Sequence, residues 1–263
     1  MTCEDKDGNI VYEHKGIEND EECSVIDQSD FTPPECKEAI GESTEWTKEK
    51  RTITMTCSDE NGCESVTKTF DKSTKIGYIT VEDGKGNKRN CPVNVYIDKT
   101  PPKCSSSGGS DSWTTGTRTL TGTCSDDESG CASNVTKLYN SEGNFANQSP
   151  GTVSDNVGNT TTCPNNQTVR IDRTPPTITW SCIKNPPENT QARTLIRAII
   201  SDSLSGYDCF SATWSSGNAS ICRGGFQSGP ENFYMPQSVG SVTFSRLCDL
   251  AGNCANTPLS YSC

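Results

Sequence analysis

Thr123 to Cys131 reads TCSDDESGC. Two cysteines enclose three acidic side chains, Asp126, Asp127 and Glu128, so the stretch admits three readings: a metal loop, a redox pair or a stapled turn. The pattern returns upstream as TCSDENGC, Thr56 to Cys63, and more loosely downstream as ISDSLSGYDC, Ile200 to Cys209. A pattern met three times in one chain marks a structural repeat before it marks a site.

Three further markers recur in fixed order around it. A Pro-Pro joint appears as FTPPEC (Phe31–Cys36), DKTPPKC (Asp98–Cys104) and DRTPP (Asp172–Pro176). Asp-x-x-Gly-Asn appears at Asp5–Asn9, Asp83–Asn87, Asp155–Asn159 and Asp249–Asn253. Arg-Thr followed by an apolar residue opens a run at Arg51, Arg118 and Arg193, and each run leads into a Ser-Asp loop. RTITMTC and RTLTGTC alternate β-branched and other residues, which predicts strands; GYITV and SVTFSRL read the same way. The Asp-x-x-Gly-Asn that follows these last two then reads as a hairpin turn, with Gly supplying positive φ. No segment carries a helical period with caps. About seven short strands per repeat are expected, the pattern of a β-sandwich.

Composition agrees with several small cores. Hydrophobic residues, cysteine included, make up 30% of 263 positions, below the roughly 45–50% of an average domain. Small cores need staples, and the chain carries 16 cysteines. There is no Cys-x-x-Cys and one histidine, His14. That disfavours zinc and thiol redox chemistry and favours disulfides made in an oxidising compartment. The net charge of −11 argues against nucleic acid. No run approaches the ~18 apolar residues of a membrane helix, so no membrane insertion is expected. The acidic start MTCEDKDGN is not a signal peptide, and a fragment or processed chain is expected.

Together, Ile-Asp-x-Thr-Pro-Pro, the Ser-Asp-x-x-Ser-Gly-Cys loop and Val-x-Asp-x-x-Gly-Asn resemble the tandem immunoglobulin-like modules of bacterial surface proteins. The resemblance implies an all-β chain of tandem immunoglobulin-like β-sandwich modules, stapled by disulfides. Residues 1–30 would be a partial module or terminal hairpin, followed by modules at 31–99, 100–173 and a divergent one at 174–263. It also implies an extracellular, cell-surface location.

On that sandwich layout the four cysteines of a module gather at one pole. Antiparallel neighbours suggest Cys36 with Cys57 and Cys104 with Cys124. The loops suggest Cys63 with Cys91, Cys131 with Cys163, and Cys209 with Cys254. Cys222 with Cys263, Cys182 with Cys248, and Cys3 with Cys23 complete the set. Four cysteines allow three connectivities, and a Cys124–Cys131 bond would overturn this scheme.

The functional expectations are architectural. A single histidine leaves no Ser-His-Asp triad, and modules this small leave little room for a catalytic cleft, so no enzyme is expected. Asp126, Asp127 and Glu128 are of the type that ligates Ca²⁺. Turn formation and solubility are the simpler reading, and the third loop keeps only Asp202, which disfavours a shared ion site, so no cofactor or metal is assigned. Proline-stiffened joints suit a spacer, giving a stalk or surface filament, with self-association as one possible partner interaction. The alternative is an adhesin whose last module binds a host glycan or protein. Its middle holds Phe210, and Trp214, Phe226, Phe233 and Tyr234 would form the ligand patch. A core role for Trp214 is the simpler reading. Trp46 and Trp113, each five residues before an arginine, are expected to pack locally.

Overall fold

A computed structural model describes residues 2–4, 10–13, 30–184, 193–226, 228–236, 240–256 and 259–262. All regular structure among them is β. The chain divides into two compact units, Met1–Thr100 and Pro101–Cys263, the cut falling inside the second Pro-Pro joint.

The first unit begins with an antiparallel pair, β1 (Thr2–Glu4) and β2 (Ile10–Glu13). Three strands follow, β3 (Glu35–Ile40), β4 (Arg51–Ser58) and β5 (Val66–Phe70), hydrogen-bonded in that order. The hairpin of β6 (Thr74–Glu82) and β7 (Lys88–Ile97) forms the second layer. The period of two read from RTITMTC sends Ile53 and Met55 inward. They meet Ile79 and Val81 of β6 and Val93, Val95 and Ile97 of β7. On the outer face Thr52 pairs with Thr69 and Thr54 with Thr67, at 2.9 and 2.8 Å. The segment between β3 and β4 changes layer. Thr47 pairs in parallel with Ile97, its N–H donating to Tyr96 O at 3.0 Å. Trp46 packs edge-on against Tyr96, the local role expected of it. Residues 31–99 hold five strands rather than the roughly seven expected, and a disulfide between Cys57 and Cys63 closes the chain after β4 into a tight loop.

The second unit repeats this plan and then enlarges it. It opens with β8 (Lys103–Ser107), β9 (Arg118–Ser125), β10 (Cys131–Ser133) and β11 (Val135–Tyr139). Next come β12 (Gly143–Gln148), β13 (Thr152–Asp155), β14 (Thr160–Thr162) and β15 (Gln167–Ile171). The sheets run β11-β9-β8, β10-β13-β14 and β12-β15 around Leu120, Tyr139, Val169 and Ile171. The same change of layer recurs, with Thr114 paired in parallel to Ile171. Gly122 is required on β9. A Cβ there would meet Cys163 Sγ at 2.6 Å and Val135 Cγ1 at 2.7 Å.

The remaining strands are β16 (Thr177–Lys184), β17 (Arg193–Ser201), β18 (Tyr207–Trp214), β19 (Gly217–Phe226), β20 (Ser228–Pro236), β21 (Ser241–Asp249) and β22 (Leu259–Ser262). They form two antiparallel sheets, β16-β17-β20 and β19-β18-β21-β22. Between them lies the largest core, with Phe210, Phe233 and Phe244 in mutual ring contact. Ile178 and Ile200 sit at the marker positions that hold Cys36 and Cys57 in the first unit. Ile200 is buried in this core and Ile178 packs against it, so apolar packing stands where the earlier repeat uses cystine.

Candidate metal centres and the joints they sit on

The disulfides differ from the expected scheme. Cys36 bonds Cys91 and Cys104 bonds Cys163, each tying the first strand of a repeat to the opposite layer. Cys57 bonds Cys63 and Cys124 bonds Cys131, each closing its own Ser-Asp loop. Cys36 and Cys57 are indeed direct cross-strand partners, as are Cys104 and Cys124. Adjacency did not decide the bonding. Cys91 is fully buried in the core, and its Cα–Cα distance to Cys36 is 5.8 Å, within the usual disulfide range. Near the C-terminus, bonds do join direct partners: Cys209 with Cys222 and Cys248 with Cys254. This excludes the expected Cys209–Cys254, Cys182–Cys248 and Cys222–Cys263 pairs. Cys182 is itself disulfide-bonded. The expected Cys3–Cys23 pair lies outside the described residues. The opening question about TCSDDESGC thus has its first answer: its two cysteines staple one loop to itself.

The expected aromatic patch does not assemble. Phe233 is 6% exposed and belongs to the core; its neighbour Tyr234 points to the other face of β20 and is 38% exposed. Trp214 packs against the core beside Gly217. The Phe226 side chain lies outside the description.

A cluster that sequence reading missed lies where the three markers converge. One carboxylate oxygen each from Asp30, Asp59 and Asp83 lie within 4.8 Å of one another. Asp172, Asp202 and Asp249 repeat the arrangement, all three buried. Each triad takes its first member from the Pro-Pro joint, its second from the Ser-Asp loop and its third from Asp-x-x-Gly-Asn. By sequence the same three positions recur as Asp98, Asp126 and Asp155. The acid that matters is therefore the one following serine. Asp127 is exposed, and the loss of its counterparts from the third loop is immaterial.

Local chemistry fixes every member. Asp83 Oδ1 accepts from the N–H groups of Lys85 and Asn87 at 2.8 and 2.9 Å, and Asn87 Nδ2 donates to Oδ2 at 2.8 Å. Asp249 accepts from Asn253 N and Nδ2 at 2.8 and 2.7 Å. Gly86 and Gly252 make these turns possible at φ 91° and 93°. Asp202 Oδ1 accepts from Leu204 N and Gly206 N at 3.1 and 2.6 Å. Asp30 accepts from Thr32 N and Oγ1, and Asp172 from Thr174 N at 3.0 Å.

Gathering three buried carboxylates is unfavourable in a chain that already carries −11. Burial pushes the Asp202 carboxyl above its ordinary value; the Gly206 and Leu204 N–H groups pull against this, and the Asp172 and Asp249 charges add to it. Asp83 is pushed up by burial but held below its ordinary value by hydrogen bonds from Asn87, Lys85 and Gly86. Asp30 is lowered, chiefly by the Thr32 hydroxyl. The donor set is all carboxylate, the chemistry of a hard cation such as Ca²⁺ rather than zinc. In the second triad Ser205 Oγ is buried without a hydrogen-bond partner beside it, its own N–H donating to Asp172 Oδ2 at 2.9 Å. The residues fit a divalent cation, which would supply charge neutralisation and cross-linking of three chain segments.

No family model matches the chain, and no curated protein matches it. Among solved structures, one described as a tetra-tandem repeat in the extending region of a large adhesion protein aligns over 84% of this chain and 72% of its own. The identity is 15% and the TM-score 0.30, a likeness too slight to fix fold or role.

Proposed function

We propose that this chain is an extracellular structural spacer of tandem immunoglobulin-like modules at 31–99, 100–173 and 174–263, preceded by a terminal hairpin or partial module, with an architectural and not a catalytic role. In this reading the aspartate triads hold Ca²⁺ at the module joints and stiffen them. The observation that carries it is the repeated joint. In both units one aspartate of the Pro-Pro linker meets two aspartates from the loops of the module that follows. A three-strand sheet facing a four-strand one, with the chain order of β16–β22, supports the immunoglobulin-like assignment; it differs from the constant-type sandwich by moving one strand between sheets. The disulfides among the described residues support an oxidising, extracellular setting.

Light-scattering mass of the unreduced chain tests the spacer. A constant monomer mass from micromolar to millimolar concentration is expected. Concentration-dependent growth would make it a filament subunit instead.

A further inference from the structure

We propose that the asparagine closing each Asp-x-x-Gly-Asn turn is a joint latch, and that Asn253 and Arg173 together set the joint between residues 100–173 and 174–263. The inference rests on the spacer reading and adds residues outside the carboxylate triads.

Turn chemistry needs only the Asn253 backbone and one side-chain bond to Asp249. Its Nδ2 also donates to the main-chain O of Asp172, at 3.0 Å. The first unit repeats this across 57 residues of sequence, Asn87 Nδ2 donating to Asp30 O at 2.8 Å. In both units a second donor from the Ser-Asp loop takes the same aspartate's Oδ2: Asn61 Nδ2 on Asp30 at 2.8 Å, and Ser205 N on Asp172 at 2.9 Å. The joint aspartate is thus gripped by backbone and side chain from the module that follows it.

The preceding module holds the same joint from the other side. Asp172 N donates to Thr114 O at 3.0 Å. Arg173 Nε donates to Thr115 O at 2.9 Å and Nη1 to Asn140 O at 2.6 Å. Arg173 N donates to Glu142, as does Thr174 Oγ1, at 3.1 Å. Asp172 therefore bonds both modules, its N–H to the preceding one and its carbonyl and carboxylate to the following one, while the Arg173 side chain bonds the preceding one. Bonds on both sides of a two-residue step leave its dihedrals little freedom.

Residual dipolar couplings on the full chain with Ca²⁺ present test this. In the wild type, residues 101–171 and 193–262 should share one alignment tensor. In Asn253→Ala the tensor magnitude of one segment should fall relative to the other by about a factor of two. Arg173→Ala should do the same from the other side, and it decides the matter should Asn253→Ala disturb its own core. A merely loosened turn would speed exchange at Leu250–Asn253 and leave the tensors equal. Equal tensors in the wild type and both variants overturn the latch alone. Unequal tensors already in the wild type overturn the latch and the stiff spacer together.

Discussion

Removing the Cys36–Cys91 bond should destabilise the first unit about twice as much as removing Cys57–Cys63. The two bonds share the first unit, and Cys36 and Cys57 are cross-strand neighbours, so one end of each has the same surroundings. Their loops are not: the sequence separations are 55 and 6. In the chain-entropy treatment these correspond to about 4 and about 2 kcal/mol. Against a typical total of roughly 5–15 kcal/mol, the first loss brings a module this small near unfolding. Cys91 is also fully buried, so its truncation leaves a void in the layer of Ile53 and Val93. Paired alanine variants of the full chain, followed by hydrogen exchange of the most protected amides of β4 and β7, read the difference directly. The 2 kcal/mol gap predicts exchange about thirtyfold faster in Cys36→Ala/Cys91→Ala than in Cys57→Ala/Cys63→Ala. Rates within threefold of each other, or the reverse order, would refute the assignment of the inter-layer bond as the main staple.

The third core carries a polar tie in addition. Glu231, 5% exposed, accepts from Tyr207 OH at 2.6 Å and from Arg223 Nε and Nη2, both at 2.7 Å. Arg223 holds the Glu231 carboxyl below its ordinary 4.5, against burial, with Tyr207 helping. Burial, then Glu231, pushes the Tyr207 hydroxyl up to about 12. A depressed acid contributes stability above its unfolded pKa and loses it as pH falls through the folded one. Melting of this core should therefore drop below about pH 4.5, and Glu231→Gln should flatten that drop while destabilising at pH 7 by about 2 kcal/mol, less than a fully buried pair because Arg223 is half-exposed. Gly122→Ala should cost about 1–3 kcal/mol by overpacking against Cys163 and Val135, seen as a lower melting temperature with the Cys104–Cys163 bond intact by peptide mapping.

Much of the fold is legible because it follows from local chemistry. Alternating threonines placed β4 and β9, and Gly-Asn placed the turn between β6 and β7. The cysteine pairing was not legible. Four thiols converge on one pole, and strand adjacency alone does not say which bond enters the core. The triads were hidden for a different reason. Asp30, Asp59 and Asp83 lie far apart in sequence, and Asp59 and Asp83 are already explained as loop and turn residues. The aromatic patch was an avoidable error. Glu231, Phe233 and Met235 alternate inward along β20, a period of two that takes Phe233 out of any surface shared with Tyr234.

The most direct test of the central claim is a calorimetric Ca²⁺ titration of the chelator-stripped, unreduced chain, with Asp202→Asn alongside. The account predicts saturable binding, a higher melting temperature with Ca²⁺, and loss of part of the bound ion in Asp202→Asn with all disulfides retained. No binding at millimolar Ca²⁺, or equal binding in the variant, would contradict it.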